Sequence, residues 1–165
     1  MPKVKGYEFL NLLDRLPAEE RVSGQFRRTA SAIARFYGFE EISTSVLEDA
    51  SLFVPLVRAG LFEERPPVWC KARSGDEFML RPSAILGAVR AYCTHRLQTL
   101  PHPLKFVCEA EGFFLSRRGA AGAETPNAVV MRREWGLVMI GEDAPVAEAE
   151  IIQVLWRSFL EWGVK

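Results

Sequence analysis

The sequence predicts an α+β fold, and three observations carry that expectation. Stretches with apolar residues every three or four positions alternate with short runs of alternating polarity or β-branched character. Turn-forming tetrads and paired prolines separate these runs, so neighbouring strands are expected to be mostly antiparallel. A chain of 165 residues, 48% apolar and 11% aromatic, is long enough to bury a core and fits one domain over residues 1–165.

The elements follow in order. Pro17 opens a helix with Glu19 and Glu20 beside the positive end of its dipole, Val22, Phe26, Ala30, Ile33 and Tyr37 at helical spacing, and Gly38 as its stop. Glu41 to Leu47 reads as one strand, and Ser51 to Ala59 as a short helix containing Pro55. Val68 to Ala72 and Glu77 to Arg81 flank the tetrad Arg73-Ser74-Gly75-Asp76 and read as a hairpin. Ala84 to Leu97 is expected to be helical until Pro101 and Pro103 intervene. A strand then starts at Leu104, and Gly112 to Leu115 and Val129 to Ile140 form a pair. Arg118 to Asn127, with two glycines, a proline and no periodicity, is expected to be a mobile loop. Val146 to Trp162 closes the chain as a helix ended by Gly163.

Composition narrows the function. Lysine plus arginine equals aspartate plus glutamate at 21 each, so no global positive field attracts nucleic acid beyond about 10 Å at ordinary salt. Cys70, Cys93 and Cys108 form no CxxC pair and read as three buried, reduced thiols. With His95 and His102 as the two histidines, no metal site is expected. No signal-peptide core and no membrane-length apolar stretch stand out, which points to a soluble cytoplasmic chain. Trp69, Trp135, Trp156 and Trp162 read as core or interface anchors.

An ordered set of short matches then gives a resemblance. Lys5-Gly6, Leu16-Pro17-Ala18-Glu19, Tyr37-Gly38-Phe39-Glu40-Glu41-Ile42, Val46-Leu47-Glu48, Arg81-Pro82, Val89-Arg90-Ala91-Tyr92, Gly136, Gly141 and Ala147-Glu148-Ala149-Glu150 together resemble the histidyl-tRNA synthetase family of class II aminoacyl-tRNA synthetases. The resemblance implies an antiparallel sheet flanked by helices, a first motif at about 20–48, a second at about 104–141, and a partial core that lacks the third motif. In the family the first motif builds a dimer interface.

The same resemblance marks departures. Where the family carries Arg-Pro-Glu-Gly-Thr, whose Glu and Thr hold the substrate's ammonium, this chain has Arg81-Pro82-Ser83-Ala84-Ile85. Where it carries Phe-Arg-x-Glu, whose Arg clamps the ATP α-phosphate, the run is Phe114-Leu115-Ser116-Arg117. The Gln and Glu of the histidine side-chain site align with Glu134 and Val138. Leucine offers neither charge nor donor to a phosphate, and losing one such donor can cost about 10²–10³ in rate. An ammonium leaving water needs a countercharge that Ser83 and Ile85 lack.

No catalytic residue is therefore assigned. Arg81, Ser83, Ile85, Leu115, Arg117, Glu134 and Val138 are read as degenerate ligand-site positions, and Arg81, Arg90 and Arg118 as candidate anion-binding residues. Arg117 with Arg118 is equally a solvated turn, Arg81 and Arg90 are equally structural ion-pair partners, and Arg132, Arg133 and Glu134 are equally a buried network filling the cleft.

The implied function is a binding or regulatory module without adenylation activity. The precedent is the family's paralogue that serves as the regulatory subunit of ATP phosphoribosyltransferase. The enzyme alternative is one half of a split histidyl-tRNA synthetase, an ATP-dependent ligase for which ATP and Mg would be needed; no cofactor is expected otherwise. A third alternative is a tRNA-binding accessory protein. A class II sheet stopping after its second motif is expected to expose strand edges, covered by a homodimer through the first motif or by a heteromeric protein partner.

Overall fold

A computed structural model describes residues 14–62, 65–116 and 127–164. Four helices and six strands follow in the order α1 (Pro17–Phe36), β1 (Glu40–Ile42), β2 (Leu47–Asp49), α2 (Ala50–Arg58), β3 (Trp69–Lys71), β4 (Glu77–Leu80), α3 (Ala84–Thr94), β5 (Leu104–Leu115), β6 (Val129–Ile140) and α4 (Pro145–Glu161). The described residues divide into two compact units: 45–62, 65–87, 110–116 and 127–134 form the first, and 14–44, 88–109 and 135–164 the second.

In the first unit, β2, β4 and β3 make an antiparallel sheet in that order. Its hairpin pairs Trp69 with Met79 and Lys71 with Glu77, and Gly75 supplies the positive φ of 100° at the tip that a side chain would disfavour. Asp49 caps α2, accepting from the Ser51 amide at 2.8 Å and the Ser51 hydroxyl at 2.7 Å. These two bonds, the hydroxyl's first, hold the Asp49 carboxyl below the usual aspartate range. Met79, Phe53 and Ala50 are buried beneath.

In the second unit β1 runs parallel to β5, with Glu40 opposite Phe106 and Ile42 opposite Cys108. Helices α1 and α4 pack together and enclose a core of Ala34, Phe39, Val107 and Val154, joined by Ile33, Leu137, Met139 and Ile151. Small residues on the inner face of α1, namely Gly24, Ala30, Ser31 and Ala34, allow close approach. Phe26 meets the rings of Trp135, Phe159 and Trp162, and the Trp135 indole N–H donates to Ser31 Oγ at 3.2 Å. Lys105, with its Nζ 5.8 Å from the centre of the Phe39 ring, donates to Glu150 Oε1 at 2.6 Å. Strands β5 and β6 are hydrogen-bonded neighbours in the sheet order β1-β5-β6.

Several expectations are corrected. The single strand expected over 41–47 is two short strands in different sheets, β1 and β2, because the chain breaks its extended run between Ile42 and Leu47. The helix expected to reach Leu97 stops at Thr94; Arg96 turns left-handed at φ 54°, and Leu97–Thr99 forms a 3-10 turn. Leu104 to Leu115 is one continuous strand. Cys108 is buried, Cys70 half-buried and Cys93 exposed, so three buried thiols was an overstatement. Of the tryptophans read as core or interface anchors, Trp135 packs against the core, while Trp156 is 60% exposed and Trp69 and Trp162 both 44%. Of the loop expected over 118–127, only Asn127 lies among the described residues. No described helix is long and apolar enough to cross a membrane.

Two stability predictions follow from these contacts. Phe39→Ala is expected to cost about 3–5 kcal/mol by chemical denaturation, whereas Phe36→Ser, 83% exposed, stays within about 0.5 kcal/mol. The Asp49 carboxyl is depressed in the folded state, so its contribution is present above the unfolded aspartate value and vanishes as pH falls through the folded one. Asp49→Ala should therefore lower Tm at neutral pH and leave it unchanged in strong acid; an equal shift at both would contradict the cap.

Candidate functional site

Four of the residues marked by the sequence, Arg81, Ser83, Ile85 and Glu134, lie at or beside the point where β4 ends and α3 begins, in the first unit. Arg81 follows β4 directly. Its amide donates to Val46 O at 2.8 Å, and its carbonyl accepts from the Phe113 amide at 2.9 Å. Its side chain is equally engaged: Nε donates to Glu111 O at 3.0 Å and Nη1 to Ser45 O at 3.1 Å. Arg81 is 3% exposed, as is Glu48 on the adjacent strand β2, so two opposite charges are buried in neighbouring strands. Buried charge is tolerated only with partners, and Arg81 uses its guanidinium to join three chain segments.

After Pro82 the chain turns into α3, whose first amides need acceptors from outside the helix. Ser83 Oγ accepts from the Ile85 amide at 3.3 Å, and Glu134 Oε2 reaches across from β6 to accept from the Ala84 amide at 3.1 Å. A carboxylate there also answers the positive end of the helix dipole. Two positions that the family resemblance assigns to a ligand site thus serve the first turn of α3. Ile85 itself is 42% exposed.

Gly112 fixes how closely β5 approaches this turn. A Cβ built on it would lie 2.7 Å from Pro82 O and 3.4 Å from Glu134 Oε1, so any side chain would collide with a backbone carbonyl. Strand alternation sorts the remaining residues. Gly112, Phe114 and Ser116 are buried and share the face of Val130 and Glu134, while Glu111, Phe113 and Leu115 share the other, where Glu111 pairs with Arg133 at 3.4 Å.

This alternation sets Leu115 and Ser116 on opposite faces of β5. Leu115 projects from the face opposite to Glu134, and Ser116 shares the Glu134 face. Taking Leu115 at the phenylalanine place of Phe-Arg-x-Glu moves Ser116 to the arginine place and Arg118 to the glutamate place. Ser116 was not among the residues singled out in the sequence; the available signal was the two-residue period running from Gly112. Ser116 is 3% exposed, and its amide and its Oγ both bond Ala128, at 2.9 and 3.1 Å, while its carbonyl accepts from Asn127.

The remaining marked residues fall elsewhere. Val138, 8% exposed, and half-buried Arg90 belong to the second unit, and Arg117 and Arg118 lie outside the described residues. No group of three or more His, Cys, Asp or Glu side chains suited to a metal occurs among the described residues.

The cap makes a direct prediction. Glu134→Ala should cost about 1 kcal/mol, and Glu134→Gln, which keeps an acceptor, clearly less. Gly112→Ala should cost about 1–3 kcal/mol through overpacking against Pro82. Equal loss in the two Glu134 variants would contradict the capping role.

No family model matches the chain. It is 30% identical over 152 residues to the histidine–tRNA ligase of Dehalococcoides mccartyi, covering 92% of this chain and 35% of that protein. It is 29% identical over 143 residues to the corresponding ligase of Rubrobacter xylanophilus, covering 82% and 31%. Among solved structures, an ATP phosphoribosyltransferase regulatory subunit/histidyl-tRNA synthetase from Bacillus halodurans superposes with a TM-score of 0.77 at 18% identity, over 94% of this chain and 38% of that one. Apo histidyl-tRNA synthetase from S. aureus gives a TM-score of 0.74 at 22% identity, over 100% and 36%. The chain spans about a third of the length of the curated relatives it matches. By sequence and fold, it is a class II synthetase-like core of the histidyl-tRNA synthetase family.

Proposed function

We propose that this chain is an adenylation-inactive member of the family that works as a binding or regulatory module in the cytoplasm, through a protein partner. One observation carries the reading: groups at the family's ligand positions are engaged inside the fold. Ser83 and Glu134 hold the first turn of α3, and the Arg81 guanidinium is bonded to the carbonyls of Ser45 and Glu111.

Adenylation needs donors aimed at the phosphate that develops charge, and a carboxylate for the substrate's ammonium. Serine stands at the clamp place on the Glu134 face, and its hydroxyl is occupied by the Ala128 amide. The Glu134 carboxylate beside α3 accepts from a backbone amide. The similarity to a regulatory subunit of ATP phosphoribosyltransferase supports the same class of role and leaves the partner open.

ATP–pyrophosphate exchange with histidine tests the proposal. The purified chain should give no exchange above the rate without enzyme, in the presence or absence of Mg. Exchange that appears on adding a second polypeptide from the native cell would favour the split-synthetase alternative, and exchange by the chain alone would overturn the proposal outright.

A further inference from the structure

We draw no further inference here: the strongest candidate, the outer face of α4, where Ile152, Trp156 and Leu160 follow one another a helical turn apart and are 64%, 60% and 49% exposed, is an unpartnered apolar patch, and nothing in the structure shows what covers it.

Discussion

A guanidinium removed from water must find acceptors inside the protein, and that of Arg81 finds them on the carbonyls of Ser45 and Glu111. Much of the first unit depends on this. The bonds tie the segment before β2 and the middle of β5 to the end of β4, where Pro82 and Ser83 launch α3. Because the chain there is fixed, the Ala84 amide lies where Glu134 can reach it, and Gly112 must lack a side chain to let β5 pass. Arg81 is a joint between backbone segments.

Much of the fold was legible because its signals are local. Pro17 and Gly38 mark the two ends of α1, Gly75 marks the β3–β4 turn, and Gly163 follows α4. The division of residues 41–47 between two sheets was not legible, since a β-rich run carries no information about which partner strand it meets. The early end of α3 was hidden for a related reason: Arg96 adopts a left-handed conformation that no glycine announced.

The site was legible as positions and much less as chemistry. Arg81, Ser83 and Glu134 were all singled out, yet the capping of the first turn of α3 by Ser83 and Glu134 appears only when β4, β5 and β6 are in place. The second motif shows the sharper lesson. A one-residue shift moves a side chain to the other face of a strand, so Leu115 and Ser116 exchange meaning according to a register that a short motif does not fix. The second unit adds a further layer, because α1 turns Ala30, Ala34 and Ile33 toward the core of Phe39 and Val154 and leaves Val22 and Phe36 exposed on its outer side.

The central claim is that the positions the family resemblance marks for a ligand are satisfied within the fold. Its most direct test is two-dimensional NMR of the Ala84 and Ile85 amides during titration with histidine and with ATP. Both resonances should stay in place up to millimolar ligand, and the Ala84 amide should lose its slow hydrogen exchange when Glu134 becomes alanine. Saturable shifts of these amides with either ligand would contradict the claim, because a ligand would then be displacing the cap.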